Sequence, residues 1–147
     1  MGRCATPVCD TLSGRHQRPL RHRAHHGREA PRGLFLSAVT VAEIADGIAK
    51  ARREGTKRKA ADLSAWLRIV LHLYGDRVLP FDSQTAEIAG ALADLARGRG
   101  HSPGFADIAI AATARRHDLT ILSRNERHFA PMDVAVVDPF QKLPAHK

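Results

Sequence analysis

Two carboxylates stand in similar settings in this chain, each near the start of a predicted helix that follows a short apolar stretch. Glu43 comes after the apolar run 34–36, and Asp107 lies about one turn into an alanine-rich helix. Acids that reach one point from separate chain segments are how proteins hold Mg²⁺ or Mn²⁺ for phosphodiester chemistry. Two acids are too few to define a metal site, so further ligands have to come from elsewhere in the chain.

Each acid also has an interpretation that needs no metal. Thr40 and Glu43 fit a capping box, in which Thr40 caps the helix and Glu43 bonds back to it. This is the simpler interpretation of Glu43 on local sequence alone. Asp107 lies among apolar residues and would be costly if buried without a partner, although a partly exposed acid there gains from the helix dipole. Its surroundings favour a functional role.

A polar segment, Ser123-Arg124-Asn125, follows the predicted strand Leu119–Leu122. Ligands of parallel α/β sheets bind at the carboxyl ends of strands. Ser123 and Asn125 are suited to a metal-bound water or a phosphate oxygen, and Arg124 is suited to a phosphate. A polar turn that leads into segment 126–129 explains the same residues without a ligand.

The predicted secondary structure alternates between strands and helices. Helices are predicted over about 40–53, 60–73, 83–98 and 103–116, with Asp82 and Ser102 as the caps of the last two, and strands over 34–36, 77–81, 119–122 and 134–137. This alternation predicts an α/β fold with a mainly parallel sheet covered by helices on both faces. Leu63, Trp66, Leu67, Val70 and Leu71 are predicted to form the buried face of the second helix.

The first 33 residues differ from the rest of the chain. They hold seven arginines against only Asp10 and Glu29, and they show no helical or strand period. Such a composition is typical of a disordered tail, or of GC-rich DNA read in a wrong frame. We therefore predict an atypical basic segment over 1–33 and a folded domain over 34–142, whose first strand is missing or disordered.

The remaining composition sets the cellular context. The formal charge is +8, which favours a polyanionic partner. Cys4 and Cys9 do not form a disulfide framework, so a reducing cytoplasm is expected. The sequence has no apolar run of about 18 residues for a membrane span, and its N-terminus lacks the apolar stretch of a signal peptide.

Three ordered segments resemble a known family. The segments 36–44, 105–114 and 122–129 are similar to the signatures of PIN-domain nucleases, above all the VapC/FitB-type toxins of type II toxin–antitoxin systems. Segments 77–82 and 136–140 fit the same pattern, so the likeness covers about 34–140. The resemblance implies a three-layer α/β/α sandwich and Mg²⁺- or Mn²⁺-dependent endoribonuclease activity. It also implies a cognate antitoxin, an RNA substrate and a homodimer.

By this resemblance, Glu43 matches the second family acid and Asp107 the third. His128 stands where the fourth acid is often found, and Ser123 and Asn125 would complete the shell. Asp10 is the only aspartate before position 43, and its neighbours are only faintly similar to the family's opening motif.

Asp10 is therefore an open candidate for the first metal ligand. Arg124 and Arg127 are candidates for RNA phosphates, as are Arg115 and Arg116, although a solvated face explains all four arginines almost as well.

Three functions are compatible with these residues. The first is an active metal-dependent ribonuclease toxin. The second is a catalytically impaired PIN-like domain that only binds antitoxin or RNA, because the family acids are incompletely matched. The third is a small basic RNA-binding protein without nuclease ancestry, which the three ordered segments disfavour.

Overall fold

A computed structural model describes the backbone of residues 3–5 and the whole of residues 33–141. Asp10 lies outside the described residues, as does most of the predicted segment 1–33. The strands are β1 (Arg3–Ala5), β2 (Leu34–Ser37), β3 (Val78–Leu79), β4 (Leu119–Leu122) and β5 (Val136–Val137). The helices are α1 (Ala38–Arg53), α2 (Lys57–Tyr74), α3 (Ser83–Gly98), α4 (Phe105–Arg116) and α5 (Glu126–Phe129), with 3₁₀ turns at Gly75–Arg77 and Ala130–Met132.

The five strands form one sheet in the order β3-β2-β1-β4-β5, and every neighbouring pair is parallel. The predicted α/β fold with a parallel sheet is confirmed. We predicted from the sequence that the first strand is missing or disordered. The structure instead places the backbone of β1 at the centre of the sheet, paired with β2 and β4. All carboxyl ends lie at one edge of the sheet, and this edge carries Ser37 at the end of β2 and the polar residues Ser123–Asn125 after β4.

Two apolar clusters hold the helices. The larger one joins α3, α4 and the sheet through small and aliphatic side chains, among them Leu92, Ile110 and Ile121, which are almost completely buried. The smaller one joins α1 to α2 through Ile44, Ile48, Ala51 and Ala60. Alanine-rich faces let α3 and α4 pack closely, and this packing fixes the position of α4 and hence of Asp107.

Several predicted boundaries were displaced. Helix α1 begins at Ala38 rather than at 40, and α2 spans Lys57–Tyr74 rather than 60–73. Helix α4 begins at Phe105 with Gly104 as its N-cap, so the prediction that Ser102 caps this helix was wrong. Leu71 is 36% exposed, which contradicts its predicted burial, whereas Leu63, Trp66 and Leu67 pack against the smaller cluster.

Within the described ranges, no helix is long and apolar enough to cross a membrane.

The predicted cap of α3 is confirmed, and it is part of a charged network. Asp82 Oδ1 accepts hydrogen bonds from the backbone nitrogen of Thr85 at 3.0 Å and from its hydroxyl at 2.9 Å. Arg116, at the end of α4, pairs with the same carboxylate and also donates to Gln84 Oε1 at 2.6 Å. Arg116 therefore ties α4 to the start of α3, and its pairing with Asp82 explains why the sequence has a basic residue there.

The Asp82 network predicts a specific acid sensitivity. The hydrogen bond from Arg116, followed by those from Thr85, holds the pKa of Asp82 well below its usual range. A depressed folded-state pKa gives stability that is present above the unfolded pKa of about 3.9 and is lost as the pH falls further. We expect Asp82→Asn, which keeps a capping oxygen, to lower the melting temperature at pH 7. The difference in melting temperature between this variant and the unsubstituted chain should shrink steadily below about pH 4. Thermal melts of both proteins from pH 7 to pH 2 measure it, with the exposed Asp94→Asn as control; a pH-independent difference would contradict the ion-pair assignment.

Candidate active site

The start of α1 decides between the two interpretations of Glu43. Ser37, the last residue of β2, is the N-cap, and its hydroxyl accepts a hydrogen bond from the backbone nitrogen of Val39 at 3.2 Å. Thr40 is therefore inside the helix, and Glu43 lies nearly a full turn past the position from which a capping glutamate can reach back. The predicted capping box was wrong, because Ser37 rather than Thr40 caps the helix. The capping role that the local sequence favoured for Glu43 is therefore excluded.

Glu43 lines a groove of about 780 Å³ between α1, the loop after β3 and the start of α4. Its apolar wall includes Phe81 and Phe105, whose rings meet edge to face with centroids 5.6 Å apart. Asp46 and Lys50 lie further along the same face of α1. Glu43 as a whole residue is partly buried.

Asp107 is the third residue of α4, where the helix dipole favours an acid. Its side chain is 24% exposed, and its Oδ2 lies 3.2 Å from Nδ1 of His128 on α5. It lines a smaller cavity of about 230 Å³ together with Ser102, Gly104, Arg127 and His128 among others. The predicted acid is thus near the sheet edge and has a specific imidazole neighbour.

The residues after β4 form a hydrogen-bonded cluster, and its member His128 contacts Asp107. The Asn125 amide nitrogen lies 2.8 Å from the His128 ring nitrogens, and its Oδ1 accepts from Arg127 Nε at 3.1 Å. The hydroxyl of the buried Ser123 accepts from the Asn125 backbone nitrogen at 3.1 Å, which fixes the turn into α5. The structure therefore brings Asp107, His128, Asn125, Arg127 and Ser123 together.

Glu43 and Asp107 line neighbouring cavities that share the N-terminal end of α4. Ala106 lies in the wall of the Glu43 groove, and the next residue, Asp107, lies in the wall of the smaller cavity. Helices α1, which carries Glu43, and α4, which carries Asp107, pack against each other. Whether they bind the same cation stays a prediction.

The described donors match a hard divalent cation in type but not in number. Carboxylate oxygens are the ligands that Mg²⁺ and Mn²⁺ prefer. Among residues 33–141, however, no three His, Cys, Asp or Glu side chains converge as a metal cluster does. Asp107 with His128, and Glu43 in the next groove, are a partial ligand set that further donors would have to complete.

Three other arginines have roles that the sequence did not reveal. Arg124 lies over the exposed Phe140 ring, with its guanidinium carbon 5.7 Å from the centroid, and it lines neither cavity. Arg115 donates to the carbonyl oxygens of Met132 and Asp133 at 2.8 and 2.9 Å. Arg116 belongs to the Asp82 network. Arg115 and Arg116 thus hold α4 against neighbouring segments, a role that the sequence prediction did not include.

Asp138 is a buried acid at the end of β5 that sequence reasoning used only as part of a pattern. Its Oδ1 accepts from the Phe140 backbone nitrogen at 2.8 Å, and its Oδ2 accepts from Gln141 Nε2 at 3.1 Å. Its own backbone nitrogen donates to Glu126 Oε1 at 2.8 Å. These bonds assign Asp138 to the turn after β5, a role that an Asp-Pro pair after a strand could have signalled.

Comparison with known proteins places the chain in one family. The family model described as PIN domain matches residues 15–134. Toxin FitB of Neisseria gonorrhoeae is 34% identical over 110 residues, which cover 73% of this chain and 76% of the relative. VapC ribonuclease Y4jK of Sinorhizobium fredii is 34% identical over 108 residues, covering 74% and 76% of the two chains.

Solved structures agree with this placement. The crystal structure of FitAcB from Neisseria gonorrhoeae matches with a TM-score of 0.66 and 36% identity over 74% of this chain and 77% of that one. VapBC-5 of Mycobacterium tuberculosis, a member of the VapBC family of toxin–antitoxin systems, matches with a TM-score of 0.60 and 25% identity over 74% and 82%. The chain belongs to the PIN-domain family. Within that family it is similar to the FitB and VapC toxins.

Proposed function

We propose that this protein is a metal-dependent endoribonuclease toxin, which hydrolyses RNA phosphodiester bonds and is inhibited by a cognate antitoxin. The observation that carries the proposal is Asp107 in the first turn of α4, contacting the His128 cluster beside the groove that Glu43 lines. The names of the relatives, a VapC ribonuclease and a FitB toxin, support the same reading.

Asp107 and Glu43 are the proposed ligands of Mg²⁺ or Mn²⁺, with Asp10 as a candidate third ligand and Ser123 and Asn125 as supporting groups. A bound divalent cation supplies polarisation of the scissile phosphodiester and a more acidic water. The chain's own residues bind and orient the RNA. Arg127 lines the Asp107 cavity and its Nε is committed to Asn125, so its terminal nitrogens are the proposed contact for an RNA phosphate.

Arg124, the other arginine predicted from the sequence to hold an RNA phosphate, lines neither cavity, so comparison of the two arginines tests the geometry. We expect Arg127→Ala to raise KM for a short RNA about tenfold, since a charge-assisted hydrogen bond contributes roughly 1.5–3 kcal/mol. Arg124→Ala, which removes a guanidinium stacked on Phe140, should change KM less than about threefold by the same scale. Steady-state cleavage of one RNA measures both values. Equal effects of the two substitutions would contradict the assignment of Arg127 to the site.

We further propose a cognate antitoxin that binds and silences the protein, a homodimer in solution, and action in the cytoplasm. The similar solved structures, FitAcB and the toxin–antitoxin system VapBC-5, support a partner of this kind. Expression of this protein with and without the product of the adjacent gene tests for the antitoxin. We expect growth arrest when this protein is expressed alone, and relief of the arrest when the adjacent gene product is expressed with it. Sedimentation of the purified chain tests the dimer.

A second function is favoured by one specific observation. The described residues assemble no three-ligand metal cluster, and His128 stands where the family often has an acid. A catalytically impaired PIN-like domain that binds antitoxin or RNA without cutting is consistent with that.

RNA cleavage by the purified full-length chain decides between the two functions. Mg²⁺- or Mn²⁺-dependent cutting that EDTA abolishes is the expected result. Binding of RNA or antitoxin without cutting would favour the impaired domain.

A further inference from the structure

We propose that the tip of the α1–α2 hairpin, residues 50–59, is a second binding surface for the backbone phosphates of the RNA, outside the candidate active site. This basic tip comprises the end of α1, the turn after it and the start of α2. The proposal deepens the proposed function, because it rests on RNA as the substrate. It assigns a role to charges that the candidate active site does not use.

The basic tip concentrates positive charge on the surface. Residues 50–59 hold six basic side chains and one acid, Glu54, in a chain whose formal charge is +8. All six basic residues are exposed: Lys50, Arg52, Arg53, Lys57, Arg58 and Lys59. Within the part of the chain that the structure describes, Lys50 alone among them has an acidic partner, Glu54 at 3.9 Å. Most of the charge of the tip is therefore not neutralised by ion pairs there.

The start of α2 carries its cations against the preference of the helix. Lys57, Arg58 and Lys59 form the first turn of α2, which contains no acid, and Thr56 supplies no side-chain cap. The helix dipole favours acids at this end, whereas it favours the basic residues that end α1. Helix formation therefore explains the cations that end α1 but not those that begin α2. A residue pattern that breaks a local rule in this way is typical of a functional surface.

Hydrogen bonds hold the two basic segments in one arrangement. The turn passes through Gly55, whose φ of +77° favours glycine. The Thr56 hydroxyl and backbone nitrogen donate to the Ala51 carbonyl oxygen at 2.9 and 3.0 Å. Arg52 Nη2 donates to Ser64 Oγ at 3.1 Å and so connects α1 with α2. The cations of both helices are therefore presented together, as a surface for a polyanion requires.

The basic tip is continuous with the candidate active site along α1. The groove that Glu43 lines also has Lys50 in its wall, about 10 Å further along the helix. Asp46 lies between these two residues, so we expect the contacts to be with phosphates beyond Lys50 rather than inside the groove. An RNA that is cut beside Glu43 can thus extend to the tip.

The composition of the basic tip fits a nucleic acid better than a protein partner. Protein interfaces have apolar cores in which lysine is depleted, whereas nucleic-acid interfaces are polar and strongly positive. Between Arg52 and Lys59 the sequence has no aliphatic or aromatic side chain. Phosphate contacts contribute affinity without reading the base sequence. We therefore expect the tip to increase the affinity for long RNA and not to choose the cleavage sequence.

The test measures binding of a long single-stranded RNA to the purified full-length chain by fluorescence anisotropy, in EDTA and at several salt concentrations. The double variant Arg58→Gln/Lys59→Gln removes two charges from the basic tip. The matched control, Arg68→Gln/Arg97→Gln, removes two charges elsewhere, since Arg68 is exposed about 15 Å further along α2 and Arg97 is exposed on α3. A DNA strand of the same sequence is the second probe, and thermal melts check that each variant folds.

We expect Arg58→Gln/Lys59→Gln to weaken RNA binding about tenfold at low salt. The slope of log K against log salt should become shallower by about 1.4, because each phosphate contact on a single strand contributes about 0.7. The melting temperature of this variant should not fall, since the substitutions remove cations from the start of a helix. The control should weaken RNA binding less than about threefold.

Three results would overturn the proposal: unchanged RNA binding in the tip variant, an equal loss in the control, or tighter binding of the DNA strand through the same two residues. Normal RNA binding by a tip variant that the antitoxin no longer inhibits would assign the tip to a protein partner, and it would overturn the proposal as well.

RNA cleavage measured in parallel separates this proposal from the proposed function. Metal-dependent cutting by a chain whose tip variant binds RNA normally would retain the nuclease and reject the second binding surface. The expected loss of RNA binding in the tip variant, without any cutting by the unsubstituted chain, would retain the surface and reject the nuclease.

Discussion

Asp107→Asn is expected to lower RNA cleavage on the order of 100-fold or more, in line with the loss of a group that stabilises developing charge in a transition state. The substitution changes a carboxylate into a neutral amide of nearly the same shape. The residue is partly exposed at the start of α4, so the change leaves the apolar core untouched. Single-turnover cleavage of a short RNA with saturating Mn²⁺ measures the effect on chemistry separately from substrate affinity.

The matched control is Asp94→Asn on α3, which removes an exposed acid whose nearest cation is Arg97 at 3.7 Å. This variant should cut RNA at the unsubstituted rate. If Asp107→Asn cleaves RNA within a few-fold of the unsubstituted rate, the assignment of Asp107 as a metal ligand is wrong.

Glu43→Gln is expected to cause a loss of the same order, about 100-fold, if its carboxylate binds the same cation as Asp107. The structure removes the competing explanation, since Ser37 caps α1 and Glu43 lies beyond capping reach. The measurement is again single-turnover cleavage, with thermal melts of the same samples.

Asp46→Asn is the control for Glu43, because Asp46 lies in the same groove one turn further along α1 and is exposed. We expect its effect on the cleavage rate to be less than about threefold, as for a surface charge that touches no reacting atom. A similar loss in both variants would indicate that the groove acts through its overall negative charge rather than through Glu43 as a ligand.

The sequence predicted elements whose signals were local and unambiguous. Asp82 before an amphipathic stretch predicted the start of α3, and Leu119–Leu122 was predicted as a strand with the bounds that the structure gives it. The start of α1 failed because Ser37 and Thr40 are both good caps. The choice depends on where β2 ends, and β2 ends at Ser37 because Ser37 pairs with Leu79 on β3. A pairing between distant segments cannot be seen in a local pattern.

The site shows the same division between local and long-range information. The sequence placed Asp107 near the start of a helix and Ser123–Asn125 at the carboxyl end of a strand. It did not predict that His128 contacts Asp107, since this contact depends on how α5 packs on α4. The central strand was unreadable for another reason: β1 has three residues, too few to show a period of two.

The account depends most on one claim, that Glu43 and Asp107 bind a shared divalent cation. A crystal structure of the full-length chain grown with Mn²⁺, with an anomalous difference map, tests this directly. We predict one Mn²⁺ within about 2.5 Å of carboxylate oxygens of both residues, or two ions about 4 Å apart that these residues hold between them. Ions bound to one acid alone, or acids whose carboxylates face separate solvent regions, would contradict the claim.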